Sequence, residues 1–297
     1  MIGYKMNCNL CPRECNIDRS KAKGFCGAGY KLRVARAALH YWEEPCISGS
    51  KGSGTVFFSG CNMRCVYCQN YGISSECFGK DISEYDLEVI FNKLIESGAH
   101  NINLVTPDHY ADVITRVLRK FDSPVPVVYN TSSYCKTETL KMLDGLVDIY
   151  LADIKYYDSS VSAKYSFAPD YYEKAEQAVS EMFRQTGNLV TDDYGIAENG
   201  LIIRHLVLPG NVSQVRKIFE NVACKLGTDV FVSLMSQYIP EGKACEYDTI
   251  NRKLSKREYE LAKKTLLGLG FENCFFQDMK SADKNFIPDF DLEGVDI

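Results

Sequence analysis

No run of about eighteen apolar residues occurs anywhere in this chain, so no segment reads as a membrane-spanning helix. The opening residues, MIGYKMNCNLCPREC, lack the apolar core of a signal peptide, and the chain is read as cytoplasmic. There is no basic excess. Against 34 Lys and Arg stand 39 Asp and Glu, a net charge of -5, which points away from nucleic acid. Charge runs are short, and clusters such as Lys253 to Arg257 read as solvated helix surface. Histidine is scarce, with four in 297 residues, and no acid–base pair marks a small-molecule substrate.

Cysteine, by contrast, is plentiful, with 13 residues. A reducing compartment disfavours a disulfide framework, so clustered cysteines there read as metal ligands. Cys8, Cys11, Cys15 and Cys26 form one group, and Cys61, Cys65 and Cys68 another. The six others are scattered and read as small buried side chains.

From Gly54 onward, strand-like and helix-like segments alternate. GTVFFSG (54–60), NINLVTP (101–107), VPVVYNTS (125–132), VDIYLADIKY (147–156), LIIRHLVLP (201–209) and DVFVSLMSQY (229–238) read as strands. Helical segments with apolar residues at helical spacing separate them, such as 82–98 and 171–187. This rhythm predicts an α/β fold of parallel strands joined by right-handed crossovers. A partial barrel and an open doubly wound sheet both satisfy the periodicity. Strands end in polar residues: Asn103 and Thr106, Asn130, Asp153 and Lys155, Arg204, and Gln237. Parallel α/β folds place their sites at those ends. Asp153 and Lys155, two apart on one strand, share a face and either pair with each other or bind a zwitterion. Residues 1–53 do not follow the rhythm. They read as a Cys-rich N-terminal extension with its own metal site, packed on a domain of residues 54–297.

SGCNMRCVYCQN contains C-x3-C-x2-C directly after the first strand of the alternation. Three thiolates on one loop hold three irons of a 4Fe–4S cubane and leave the fourth iron open to a ligand. A structural zinc site would need a fourth protein ligand.

This triplet, with an aromatic residue before its last cysteine, resembles the signature of the radical S-adenosylmethionine (SAM) superfamily. Within it the chain is similar to little-characterised proteins related to the pyruvate formate-lyase-activating enzyme. CNLCPREC, EEPCISGSKGSGTVFFSGCNMRCVYCQNYGIS, GAHNINLVTPDHY, VVYNTSSY, DIYLADIKY, LIIRHLVLPG and SLMSQYIP carry the resemblance across most of the chain. It implies a partial (β/α)6 TIM-type barrel that cleaves SAM at a 4Fe–4S cluster. The product would be a 5′-deoxyadenosyl radical that abstracts hydrogen. It also implies that Tyr67 lies against the adenine, that Asp153 and Lys155 contact the methionine part, and that Arg204 lies near the ribose and carboxylate. Gln237 stands roughly where activating enzymes often carry histidine. The usual Gly-Gly-Glu after strand two is missing, since the segment reads NINLVTPDH. Asn103, Thr106 and backbone carbonyls are then expected to hold the SAM amino group. The implied partners are SAM, a protein substrate such as a glycyl radical enzyme, and an electron donor such as flavodoxin or ferredoxin. Two other readings are radical modification of another protein, peptide or metabolite, and a non-catalytic iron–sulfur electron carrier or sensor. The polar strand ends argue against the last.

CNLCPRECNIDRSKAKGFC gives C-x2-C-x3-C-x10-C, which suits one tetrahedral zinc or a second iron–sulfur cluster. Spacing does not separate the two, and the slight preference is for iron–sulfur. His40 and His100 are expected to be structural or solvent-facing. His109 is a candidate to line the site. His205 and Arg204 point to opposite faces of a regular strand; the resemblance makes Arg204 the inward one, and His205 stays open to either face because strand ends can bulge. Glu43 and Glu44, before Pro45, are expected as surface charge.

Overall fold

The computed structural model describes residues 7–296. The first six residues, part of the segment read above for a leader, lie outside that span. Ten strands form: β1 (Leu32–His40), β2 (Ser53–Phe58), β3 (Lys80–Ile82), β4 (Ile102–Val105), β5 (Val127–Thr131), β6 (Ile149–Asp153), β7 (Val190–Thr191), β8 (Ala197–Leu206), β9 (Phe231–Met235) and β10 (Cys274–Phe276). The helices are α1 (Pro45–Ser48), α2 (Tyr71–Ser74), α3 (Glu84–Glu96), α4 (Ala111–Leu118), α5 (Thr137–Lys141), α6 (Ser159–Ser166), α7 (Tyr171–Thr186), α8 (Val215–Leu226) and α9 (Lys256–Gly268).

Local signals explain the clearest helices. Ser83 caps α3 and Ser255 caps α9, each in a reciprocal capping box with Asp86 or Glu258 three residues on. β4 and β5 are buried along their whole length, as strands covered on both faces must be. The sheet runs β10-β9-β8-β6-β5-β4-β2-β1-β3, and every pair from β2 to β10 along that path is parallel. Its parallel strands follow one another in chain order without a reversal. That removes the doubly wound alternative, whose strand order turns back at a switch point. The result is an open, barrel-like α/β sheet. Among the described residues no helix is long and apolar enough to cross a membrane.

Sequence periodicity assigned no strand before Gly54, yet LRVARAALH forms β1 and pairs antiparallel with β2. Leu32 and Val34 point into the core while Arg33 and Arg36 stay at the rim, and a bulge at Val34/Arg36 breaks the alternation. The C-terminal tail closes over this strand. Ala37 N donates to Glu293 O and Leu292 N to Ala35 O, and Arg36 pairs with Asp291 and Glu293. At Gly294, with φ +71°, a Cβ would lie 1.9 Å from Ala37 O, so only glycine fits there.

Candidate active site

The chain leaves β2 through Ser59 and Gly60 into the loop that carries Cys61, Cys65 and Cys68. Gly60 has φ +88°, and a Cβ there would stand 2.6 Å from Cys26 O. The loop is anchored from several sides. Asn62 Nδ2 donates to Tyr134 O at 2.8 Å, Arg64 Nη2 to Ser75 O at 2.7 Å and Val66 N to Tyr165 O at 2.9 Å. Ser166 Oγ, at the end of α6, donates to Cys65 Sγ at 2.9 Å. Met63 N donates to Cys61 Sγ at 3.4 Å. All three thiols are free. Burial pushes the Cys61 and Cys68 thiols up, so neither readily carries an uncompensated negative charge. A bound cation reverses that logic and deprotonates such thiols outright.

The loop roofs a cavity of about 730 Å³, within the ~300–1,000 Å³ typical of ligand sites. Cys61, Cys65, Cys68, Tyr67, Thr106, Asp153, Lys155, Arg204 and Gln237 all line it. Asn103 does not; it donates to Glu43 Oε1 at 3.3 Å, and its own Oδ1 has no hydrogen-bond partner. Asn70, at the foot of the loop, also lines the cavity, and its Oδ1 is buried without a partner. These features fit a cluster with a polar ligand: three free thiols on one loop, and a buried acceptor without a partner on a residue that lines the cavity.

Beneath the loop the strand ends form one ionic network. Arg204 donates through Nε to Asp153 at 3.0 Å, through Nη1 to Glu43 at 2.9 Å and through Nη2 to Asn130 at 2.8 Å. Lys155 Nζ reaches the other Asp153 oxygen at 2.5 Å. Glu44 lies 3.7 Å from Arg204 and is 4% exposed. Burial alone would raise Asp153, but Lys155 and Arg204 outweigh it and hold the carboxylate below its usual range. Burial pushes Glu44 up against the opposing pull of Arg204. Three carboxyl groups, Glu43, Glu44 and Asp153, thus meet the two cations Arg204 and Lys155.

Glu43 and Glu44 are the residues that sequence reasoning misplaced. Expected at the surface, they are drawn inside because β1 and the short α1 carry the intervening segment across the inner face of the sheet. The buried guanidinium of Arg204, which needs more than Asp153 to answer its charge and donors, is the reason they stay there. No local pattern in WEEP records it. Tyr67 lies edge-on to Tyr238, with ring centroids 5.8 Å apart, and accepts from Tyr156 OH at 2.5 Å. Gln237 is held between Gln277, at 2.7 Å, and Gln69, at 3.4 Å.

His40 lines the rim of the cavity, whereas His109 and His205 do not line it. His205 faces away from the cavity, with Nδ1 at Ile154 O and Nε2 3.1 Å from Ser213 Oγ. His109 bonds Ser59 O at 2.9 Å and is not a lining residue. Burial lowers them to about 4 and about 3 respectively. The unfolded chain, with histidine near 6.5, therefore takes up protons first as pH falls. Stability is complete above about pH 6.5 and is lost downward from there. Each histidine contributes at most about 1.4 kcal/mol per pH unit. A urea series between about pH 7 and pH 4.5 measures that slope, and His205→Gln should flatten it by one histidine's share. An unchanged slope would contradict the buried neutral assignment.

Cys8, Cys11, Cys15 and Cys26 lie outside the cavity lining and form a second group behind the loop. Among the described residues no three His, Cys, Asp or Glu side chains converge as they would around a single ion.

A 4Fe–4S single cluster domain model matches residues 48–169, a span that begins after the N-terminal cysteines. The uncharacterized protein MJ0674 of Methanocaldococcus jannaschii is 32% identical over 265 residues, covering 86% of this chain and 73% of that protein. Among solved structures, the FeFe-hydrogenase maturase HydG from Carboxydothermus hydrogenoformans aligns with a TM-score of 0.48 at 14% identity, covering 75% of this chain and 53% of that one. Methylornithine synthase (PylB) aligns with a TM-score of 0.47 at 14% identity, covering 82% of this chain and 65% of its own. The alignments thus span less than two-thirds of either solved chain.

Proposed function

Because the chain belongs to one family with the Methanocaldococcus jannaschii protein and matches a 4Fe–4S single cluster domain across its cysteine loop, we infer that it is a radical SAM enzyme. The observation that carries this reading is the placement of Cys61, Cys65 and Cys68. Three free thiols share one anchored loop after the first parallel strand, over a cavity floored by both signs of charge. Those thiolates would hold three irons of the cluster. Such a cluster, when bound and reduced, would supply the electron for cleavage of SAM to methionine and a 5′-deoxyadenosyl radical.

The chain's own groups do the binding and orienting. Lys155, which lines the cavity together with the loop, offers charge to a carboxylate, and Asp153 offers charge to an ammonium. Arg204 has its donors engaged by Asp153, Glu43 and Asn130, so it acts first by fixing Asp153 in place. Thr106 follows β4, where the missing Gly-Gly-Glu would otherwise serve the amino group, and the unused Asn70 acceptor on the cysteine loop offers a second contact to it. Tyr67, braced by Tyr156 and Tyr238, presents a ring to the adenine. Its resemblance to activating enzymes makes a glycine of a glycyl radical enzyme the favoured hydrogen donor, and a flavodoxin or ferredoxin the electron source. Exposed Tyr41 and Trp42 at the cavity rim suit a bulky partner of that kind.

Anaerobic reconstitution, reduction with dithionite and addition of SAM should yield 5′-deoxyadenosine and methionine in equal amounts. No product, together with a cluster signal that SAM does not alter, would overturn the reading.

A further inference from the structure

We propose that Cys8, Cys11, Cys15 and Cys26 are the ligands of a second iron–sulfur cluster, seated directly against the cysteine loop. No matched domain reaches these residues. The segment is built as a binding knuckle. Cys8 N donates to Ile17 O at 2.8 Å and Asn16 N to Cys8 O at 2.9 Å, which folds residues 8–17 back on themselves. Glu14 and Asn16 take positive φ of 42° and 51° to make the bend. Gly24 leaves open the space between two of the thiols: a Cβ there would be 3.4 Å from Cys15 Sγ and 3.6 Å from Cys26 Sγ. Phe25 N donates to Cys15 Sγ at 3.4 Å, as backbone amides do to cluster thiolates.

A second, independent observation points to an anionic occupant. Arg19 uses Nη1 on His109 O, but its Nε and Nη2 are buried with no partner. Its charge acts on the Cys26 thiol and favours the thiolate there. A buried guanidinium with two idle donors is costly unless an anionic group answers it, as thiolates on a metal would.

The choice of iron–sulfur over zinc follows chiefly from place. A tetrahedral zinc site converges all four sulfurs on one ion, whereas a cubane spreads its thiolates over separate irons. Among the described residues no such convergence on one ion is formed. The two thiol groups are joined by a single link. Cys61 N donates to Cys26 O at 3.1 Å, so one hydrogen bond separates a ligand of one group from a ligand of the other. Arg13 Nε donates to Asn62 O at 2.8 Å and Arg64 Nη1 to Phe25 O at 3.3 Å, clamping the segments together.

The test uses the full chain with Cys61, Cys65 and Cys68 all changed to Ala, reconstituted anaerobically with iron and sulfide. It should retain about four irons per chain and a cubane signal after reduction, against about eight irons in the unaltered protein. The unaltered, fully reduced protein should show a paramagnetic resonance spectrum broadened by coupling between neighbouring centres. That broadening should vanish in Cys11→Ala/Cys15→Ala. One zinc per chain, or about four irons in the unaltered protein, would overturn the proposal, and the second count holds even if the triple variant fails to fold. Eight irons without 5′-deoxyadenosine would refute the proposed activity and leave this site standing.

Discussion

A Cys65→Ala variant is expected to fold, to lose the loop's iron and to form no 5′-deoxyadenosine. Cys65 is 7% exposed and sits between the other two thiols of the loop. Removing one sulfur deletes a small side-chain atom, so the stability loss should stay near the ~1 kcal/mol of an ordinary substitution. The chemical loss is of another order. With two thiolates the loop cannot hold three irons, and no residue nearby replaces the third. Ser166 donates to Cys65 but stands at the end of α6, facing that sulfur rather than the ligand space. The measurement is product formation beside a thermal melt, with Cys224→Ala as control because Cys224 is exposed on α8. Activity above background in a folded Cys65→Ala protein would remove this cysteine from the ligand set.

Arg204→Met should cost about 3–5 kcal/mol, as expected when one partner of a buried ionic network is deleted. The guanidinium is 11% exposed and meets Glu43, Glu44 and Asp153. Methionine fills much of its volume but leaves those carboxylates answered by Lys155 alone. They would then protonate or admit water, and Asp153 would lose the donor that aims it. Adding Glu43→Gln should restore part of the stability, because one uncompensated charge disappears. Urea unfolding of the single and double variants reads both effects. A loss under ~1 kcal/mol in the single variant would show that the network does not hold the inner face of the sheet together.

The parallel strands were legible because each is a short apolar run that must be covered on both faces, as in IYLAD, Ile149–Asp153. β1 was not, because its bulge and its two arginines disguise the alternation. Gln237 was legible as a strand-end residue, but not its clamp between Gln69 and Gln277, which come from the loop and from the last strand's exit. His205 was left between two faces. The regular register of β8 with β6 and β9 decided it, by pairing Arg204 with Asp153 on one side and turning His205 to Ser213 on the other.

Sequence alone determined the cysteine loop and the polar strand ends. Thiolate spacing and two-residue strand alternation are local properties, complete within a few residues. Only tertiary structure decided which groups answer them. Arg204 and Glu43 meet across a separation of 161 residues, and the Cys26 carbonyl meets the Cys61 amide between two segments with no shared period. Buried charge and unpaired amides must find partners wherever the fold brings them. Those partners became visible only once the chain was closed around them.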